Sequence, residues 1–161
     1  MISNKKIKKY LKFGKYTLDC PKYLLDKIKK EDLSNIDQEV VHRIFKIIRQ
    51  EFDPRVHKGN IVNDFTKSRF ISAQDALDNR QYSCGSLATV VASIFRTLGV
   101  PTKLIDGKYI KDNSNMKHAW NELYFLNEDK FLPFDVTKPN FEISEYHIKE
   151  GEHIDWDELE E

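Results

Sequence analysis

The amino-acid sequence predicts an α+β fold in which helices come first and an antiparallel sheet follows. Three observations support this prediction. Apolar residues recur at helical spacing before Leu98, the pattern changes to strand-like runs after Pro101, and no repeat or Gly/Ser linker divides the chain. The length of 161 residues fits one domain. We therefore expect a single domain over 1–161 with its core at about 36–140.

Two helices are predicted in the first half of the chain from the spacing of apolar residues. The first spans roughly 36–51, with Asp37 or Asn35 as its N-terminal cap. It ends before Pro54, because proline disfavours helix at the residue that precedes it. A second, shorter helix is predicted near 72–79.

The longest helix is predicted to run from about 83 to 98. Gly99 provides a C-terminal cap, and Pro101 follows it. We expect the apolar stripe of this helix to be buried against the sheet. The stripe consists of Leu87, Val91, Ile94 and Leu98.

Three strands are predicted after the long helix. The first covers 102–107 with an extension to Ile110, the second covers 118–126, and the third covers 131–137. Pro133 cannot donate a ladder hydrogen bond, so the third strand should lie at an edge or contain a bulge.

Composition and charge exclude several function classes. The 26 Lys and Arg residues balance the 26 Asp and Glu residues, so no net charge attracts nucleic acid or an anionic membrane. No apolar run approaches the roughly 20 residues that a membrane span needs. The basic N-terminus lacks an apolar segment, which predicts no signal peptide and a cytoplasmic protein. We expect no nucleic-acid partner and no membrane partner.

The charges are concentrated at the two ends of the chain. Residues 1–30 contain ten Lys against two Asp, and residues 142–161 contain nine acidic residues against one Lys. Two interpretations remain open. The ends are either two solvated termini, or segments that lie near each other on one face.

Cys84 is the first candidate for chemistry, because it stands at the start of the longest predicted helix. A helix N-terminus carries roughly half a positive charge and free N–H groups, so we expect the pKa of Cys84 to lie below that of Cys20. Gly85 leaves room for a substrate carbonyl, and the Cys84 N–H could donate to a developing oxyanion. The alternative is that Cys84 is a small buried apolar residue. Two cysteines are too few for a disulfide scaffold, and both are expected as free thiols.

His118 and Asp135 are the next candidates. His118 begins an aromatic strand, and Asp135 lies in an apolar one, where an unpaired carboxylate would be costly. A turn centred on 127–128 would set Asp135 opposite Trp120, with His118 one same-face step away. Asp135 could then orient the imidazole ring of His118. Considered alone, His118 would be interpreted as a hydrogen-bonded core histidine or as a surface one.

Three motifs in this order resemble the transglutaminase-like superfamily of thiol enzymes. Phe95-Arg-Thr-Leu-Gly-Val-Pro101 follows Cys84, His118-Ala-Trp-Asn-Glu122 comes next, and Pro133-Phe-Asp-Val-Thr137 is the last. The match covers about 72–140. The resemblance implies a papain-like α+β core in which a Cys-bearing helix packs on an antiparallel sheet that bears His and Asp. It also implies no metal and no organic cofactor.

The resemblance implies a role for each of three residues: Cys84 as nucleophile, His118 as general base and acid, and Asp135 as the orienting carboxylate. One departure concerns the Cys motif, since Tyr82-Ser83 precedes Cys84 where many relatives have a Gly. The candidates for a second oxyanion donor or for the pocket are Gln74, Gln81, Tyr82, Gly85 and Trp120.

The implied reaction is thiol-dependent acyl transfer at an amide bond of a peptide or protein substrate. Water as the acceptor gives a peptidase or amidase, which we favour because the chain is small and shows no added domain. An amine as the acceptor gives a protein-glutamine cross-linking transferase. A resting thiolate–imidazolium pair would let an Asp135→Asn variant keep measurable turnover.

Three alternatives stay open beside this reading. The first is a non-catalytic binding module that retains the fold. The second is an arylamine acetyltransferase, for whose coenzyme-binding portion the chain looks too short. The third is a zinc site, which is disfavoured because no Cys-x-x-Cys or His-x-x-x-His spacing is present.

Overall fold

The computed structural model describes residues 2–160, and this part of the chain contains six α-helices and one four-stranded antiparallel sheet. The helices are α1 (Lys5–Lys8), α2 (Lys22–Ile28), α3 (Gln38–Phe52), α4 (Phe65–Ser68), α5 (Ala73–Asp78) and α6 (Cys84–Thr97). The strands are β1 (Thr102–Lys111), β2 (Ser114–Phe125), β3 (Lys130–Phe134) and β4 (His147–His153), in the spatial order β3-β2-β1-β4. Short 3-10 turns cover Lys9–Leu11, Pro139–Phe141 and Trp156–Leu159. The predicted α+β class is confirmed.

The three predicted helices correspond to α3, α5 and α6, and their ends follow from local chemistry. Asp37 caps α3, because its carboxylate accepts the Val40 N–H at 2.9 Å. Ser83 caps α6 by accepting the Ser86 N–H at 3.3 Å. Gly99 follows α6 with φ of +85°, a conformation that side chains disfavour. The short helices α1, α2 and α4 are not predicted by the sequence analysis.

Helix α6 is buried on all sides and positions the Cys-bearing end of the molecule. Its predicted stripe faces the main core, which α6 shares with α2, α3, α5 and the far end of β2, although Leu98 is only partly buried. The opposite side presents Ala88 and Ala92 to the sheet. These small side chains allow a close approach, and Asn121 on β2 donates from Nδ2 to the Ala88 carbonyl at 3.0 Å. The contact fixes the register of α6 against β2.

The register between β2 and β3 agrees with the sequence prediction. Asn121 pairs with Phe134, and continuing this register sets Asp135 opposite Trp120. β3 is an edge strand, as Pro133 requires. The strand is shorter than predicted, however, because Phe134 is its last residue.

The chain leaves the sheet immediately after β3. The Asp135 N–H donates to the Phe141 carbonyl at 3.0 Å, which turns the segment back on itself. Asp135 and Thr137 therefore lie beyond the strand rather than within it. This turn brings the Asp135 side chain to the end of the sheet where His118 lies.

The fourth strand, β4, lies inside the acidic segment 142–161 and is absent from the sequence prediction. It pairs with β1 and forms the second edge of the sheet, with an irregularity between Asp106 and Gly107. Gly107 is needed there, since a Cβ would come within 2.8 Å of the Trp120 ring. β4 carries His147 to the same end of the sheet as His118.

The two ends of the chain meet, as one of the two interpretations predicted. The Asp155 carboxylate accepts the N–H groups of Tyr16 and Thr17 at 3.1 and 3.2 Å and the Thr17 hydroxyl at 3.1 Å. Among residues 2–160, the one ion pair between the basic and acidic end segments joins Lys15 to Glu160 at 3.3 Å. Most of the cohesion therefore comes from a buried carboxylate rather than from opposite surface charges. Within the same residues, no helix has the length and apolar character to cross a bilayer.

Candidate active site

A cleft of about 940 Å³ opens at the N-terminus of α6. Cys84 and His118 both line it. The other walls come from the segment before and within α4, from the start of β2 and from the turn after β3. The lining segments are 61–66, 82–84, 116–118 and 137–138.

Cys84 is the first residue of α6 and keeps some exposed surface toward the cleft. Its surroundings are nevertheless dense, and burial raises the pKa of the Cys84 thiol to about 11. The negative charge of Asp135 acts in the same direction, while the N–H groups of Ala119, Gly85 and Cys84 itself favour the thiolate and offset only part of the effect. The sequence-based expectation of a lowered pKa is therefore wrong, because burial outweighs the helix N-terminus.

A thiol whose pKa is raised in this way is mainly neutral at pH 7. Among the described residues, no hydrogen bond joins Cys84 to His118. Nucleophile–base contacts are often loose without substrate, so this geometry is compatible with a Cys–His pair that closes on binding.

His118, which lines the cleft, forms a buried pair with Asp135. His118 Nε2 lies 2.6 Å from Asp135 Oδ2, and the exposed fractions of the two side chains are 9% and 1%. Because an ionised carboxylate only accepts hydrogen bonds, the Nε2 of His118 carries the proton that points at Asp135. The Nδ1 of His118 is therefore the nitrogen that can take up a proton.

Asp135 is held by four donors. Oδ2 accepts from His118 and, at 2.8 Å, from His147 Nε2, while Oδ1 accepts the Thr137 N–H at 3.0 Å and the Thr137 hydroxyl at 2.6 Å. Burial alone would raise the pKa of Asp135, but hydrogen bonds from His118, His147 and Thr137 and the charge of His118 lower it well below the usual range. The carboxylate is thus ionised and fixed in orientation.

His147 is the site residue that sequence analysis missed. Its side chain is 1% exposed, and its ring packs edge-on against Tyr109 and Trp120 at centroid distances of 5.0 and 5.1 Å. A histidine in a polar, acidic segment gives no periodic signal. Its position follows from the pairing of β4 with β1, where His147 stands opposite Tyr109.

The same three side chains could be considered as metal ligands. One atom each of His118, Asp135 and His147 lies within 4.8 Å of the others. The hydrogen-bond directions disfavour this role, because the Ser144 N–H donates to His147 Nδ1 at 3.1 Å. Nε2 of His147 must then carry the proton and cannot offer a lone pair to a metal without breaking that bond. The cluster suits proton chemistry better than coordination.

Two of the remaining predicted residues make structural contacts, and a third, Gln81, lies outside the cleft. Gly85 packs against the end of α4, where a Cβ would come within 2.6 Å of Ser68 Oγ. Gln74 donates to Asp78 at 2.9 Å, within α5. The described residues that line the cleft do not include Gln74, Gln81 or Gly85.

Tyr82 and Trp120 lie closer to the chemistry. Tyr82 lines the cleft next to Cys84, and burial raises the pKa of its hydroxyl. Trp120 is 3% exposed and packs beside the rings of His118 and His147. Its indole ring thus covers the two imidazole rings that contact Asp135.

Comparison with known proteins places this geometry in a family. Residues 22–136 match the family described as the Transglutaminase-like superfamily. No curated protein matches the sequence significantly.

Solved structures share the fold at low sequence identity. A proposed cysteine protease from Cytophaga hutchinsonii matches with a TM-score of 0.67 and 19% identity, covering 98% of this chain and 50% of the other. The periplasmic domain of TgpA from Pseudomonas aeruginosa matches with a TM-score of 0.52 and 18% identity, covering 80% of this chain and 45% of the other. The same domain bound to ethylmercury matches with a TM-score of 0.52 and 15% identity, covering 80% and 47%. The chain thus spans about half the length of these structures. With most of its sequence matched by the family, the chain belongs to the transglutaminase-like superfamily.

Proposed function

We propose that this domain catalyses thiol-dependent acyl transfer at amide bonds, with water as the usual acceptor, so that it acts as a peptidase or amidase. The observation that carries the proposal is the buried His118–Asp135 pair in the same cleft as Cys84. A scaffold has no need of a desolvated imidazole–carboxylate pair beside a thiol at a helix N-terminus. A non-catalytic binding module is therefore the weaker alternative.

The first chemical step couples proton transfer to attack. Cys84 is a neutral thiol at rest, so His118 Nδ1 takes its proton as the sulfur forms a bond to the substrate carbonyl carbon. The carboxylate of Asp135 stabilises the imidazolium that forms. Collapse of the tetrahedral intermediate breaks the C–N bond, and the proton on His118 passes to the leaving amine.

The second half of the reaction releases the acyl group. A water molecule loses a proton to His118, attacks the thioester and liberates a carboxylic acid, after which the proton returns to the Cys84 sulfur. The developing oxyanion can use N–H groups of the first turn of α6. The N–H groups of Cys84 and Gly85 point toward the sulfur, and the carbonyl oxygen that bears this charge would lie beside the sulfur once the carbon is bonded to it.

A free sheet edge beside the thiol favours an extended polypeptide as the substrate. β3 pairs with β2 only from Asn121 to Phe125, so no described strand pairs with this side of Ser114–Trp120. Met116, Lys117 and His118, from this unpaired part of β2, line the cleft. An extended peptide can add to such an edge by main-chain hydrogen bonds.

The direction of the β2 backbone groups supports this placement. Pro133 faces Glu122 and has no N–H, so the backbone groups of Glu122 face β1 instead. Two residues later, the N–H of Tyr124 also points to the β1 side, where it donates to the Pro101 carbonyl. The alternate residues, Lys117 among them, thus present N–H and C=O groups to the cleft.

Apolar side chains in the cleft suggest what flanks the reacting amide. Ile61 and Met116 line it with exposed fractions of 62% and 54%, although they come from distant segments. Large apolar side chains left this exposed are typical of a surface that binds a partner. We therefore expect apolar substrate residues near the cleaved bond.

The test is capture of an acyl-enzyme on Cys84. The protein is incubated with a peptide library, and intact mass detects a covalent adduct, while chromatography detects free carboxylic acid. The same reaction with a dansyl-labelled primary amine distinguishes transfer from hydrolysis. We expect hydrolysed product from the wild type and from Cys20→Ala, and none from Cys84→Ala.

The outcomes separate the alternatives. Amine incorporation that exceeds hydrolysis would identify a cross-linking transferase. No adduct and no product, with iodoacetamide alkylation of Cys84 that is indifferent to a His118→Asn substitution, would overturn the enzyme proposal and leave a binding module.

A further inference from the structure

His147 occupies a place in the site that the three-residue mechanism does not use. Its Nε2 shares Asp135 Oδ2 with His118, at 2.8 and 2.6 Å respectively. Its side chain is almost fully enclosed, and it comes from β4 at the edge of the sheet, opposite Tyr109. A second imidazole on one carboxylate oxygen needs a reason, because it competes with His118 for the same acceptor.

The protonation of His147 follows from its backbone partner. The Ser144 N–H can only donate, and it lies 3.1 Å from His147 Nδ1. The His147 N–H in turn donates to the Ser144 carbonyl at 3.1 Å, which closes the turn that holds the ring. Nδ1 therefore keeps a lone pair, and the ring is neutral with its single proton on Nε2, aimed at Asp135.

We propose that His147 is a positioning residue that acts on His118 through Asp135, an inference that rests on the proposed function. Together with Thr137, it supplies donors on both carboxylate oxygens, so that the Asp135 carboxylate cannot rotate. As a neutral donor it does this without cancelling the negative charge that Asp135 offers to His118. The carboxylate keeps one orientation, and His118 keeps the tautomer that leaves Nδ1 free.

The inference predicts a specific consequence of losing the Nε2–H donor. Asp135 Oδ2 would then have His118 as its one ring partner and would attract the protonated form of His118 more strongly. Because catalysis needs the neutral form, the acid limb of the rate profile should move to higher pH, by about half a unit. The rate itself should fall about ten- to a hundredfold, since the carboxylate is no longer fixed.

The surroundings of His147 contain few other groups that could produce such a shift. The titratable side chains against it are Asp135, His118, Tyr109 and the adjacent Tyr146. Two cations lie over the neighbouring tyrosine rings: Lys138 Nζ is 3.7 Å from the centre of the Tyr109 ring, and Lys111 Nζ is 5.4 Å from the centre of the Tyr146 ring.

The experiment compares three variants of the full chain with the wild type. His147→Phe keeps the ring volume and removes the donor, while His147→Gln replaces the ring with an amide that can still donate to Asp135. His153→Phe is the matched control, because His153 lies on the same strand and also binds a carboxylate, Asp106, away from the cleft. The readouts are peptide turnover and the iodoacetamide rate of Cys84, each against pH, with thermal melting to check folding.

We expect the lowered rate and the shifted acid limb in His147→Phe, recovery to within about threefold of wild type in His147→Gln, and a wild-type profile in His153→Phe. A wild-type profile in a folded His147→Phe protein would overturn the inference while leaving the proposed function intact. An equal loss in His147→Phe and His153→Phe would also overturn it, since it would mean that only the stability of β4 matters. If His118→Asn does not alter the wild-type profile at all, the proposed function itself fails.

Discussion

Strand β4 carries one histidine at each end, and the two are bound in opposite ways. His147 donates to one carboxylate, Asp135, and accepts a backbone N–H on its other nitrogen. His153 places Nε2 2.5 Å from Asp106 and Nδ1 3.0 Å from Glu158, so that both ring nitrogens face carboxylates. A neutral ring satisfies the first arrangement, whereas only a doubly protonated ring satisfies the second.

The difference shows how a partner at the second ring nitrogen decides what a histidine–carboxylate contact does. At the His153 end, the ring links β1, β4 and the 3-10 turn at Trp156–Leu159 through its contacts with two carboxylates. At the His147 end, a neutral ring leaves the charge of Asp135 available to His118. The same residue type on one strand thus serves cohesion at one end and the proposed chemistry at the other.

The largest expected effect is on turnover in an Asp135→Asn variant. Thr137 offers two donors to one oxygen, so the amide oxygen must face Thr137 and the amide NH₂ must face His118 and His147. His118 would have to reverse its tautomer and lose its free Nδ1, which we expect to lower turnover by about 10³-fold. The measurement is single-turnover kinetics, with melting as the folding check.

This expectation reverses the one drawn from sequence, in which a resting thiolate would spare the Asn variant. The neutral Cys84 thiol needs a base, so the tautomer matters. Asp106→Asn is the control, since it alters the carboxylate that His153 contacts instead of the one that His147 contacts. If the turnover of Asp135→Asn equals that of this control, the proposed difference between the His147 and His153 ends of β4 is wrong.

The next effect is on stability in a His153→Phe variant. The variant removes both ring nitrogens that contact Asp106 and Glu158 and leaves the two carboxylates beside an apolar ring. We expect the free energy of unfolding to fall by about 2 kcal/mol, measured by urea denaturation, with peptide turnover unchanged. An unchanged denaturation midpoint would show that the His153 contacts contribute nothing to cohesion.

The third effect concerns acid. The pKa of Asp135 is lowered despite its burial. Burial also tends to raise the pKa of Glu152, but its contacts with Lys103 and Lys149 lower that pKa to about 2. Both groups ionise near pH 4 in an unfolded chain, so their stabilisation is present above about pH 4.5 and is lost as pH falls toward 2. Denaturation midpoints across that range should fall as the pH is lowered, and they should fall less steeply in Asp135→Asn and in Glu152→Gln than in the wild type. A slope in Asp135→Asn equal to that of the wild type would mean that the hydrogen bonds to Asp135 add no stability.

The smallest effect is expected at the junction of the two chain ends. Lys15 and Glu160 are paired but exposed, so added salt or a Glu160→Gln change should leave the melting temperature almost unaltered. Asp155→Ala should lower it by several degrees, because three buried donors from Tyr16 and Thr17 lose their acceptor. A strong salt effect on melting would instead favour surface charge as the basis of the junction.

Local patterns in the sequence were sufficient to predict the positions of three helices and the pairing of two strands near the site. Apolar spacing predicted α3, α5 and α6, and Ser83 marked the start of the helix that bears Cys84. Alternation and turn length predicted the β2–β3 register, which brings Asp135 next to His118. These features depend on residues a few positions apart, and such neighbours interact before any tertiary structure forms.

The sequence by itself thus determined the α+β class, the family motifs and the chain order of Cys84, His118 and Asp135. Tertiary structure alone decided that His147 contacts Asp135 and that the pKa of Cys84 is raised. β4 is a polar edge strand whose partner β1 lies some 40 residues earlier, so no periodic pattern marks it. The pKa of Cys84 depends on how closely β2 and the nearby turns enclose the thiol, and such desolvation arises only when segments distant in sequence pack together.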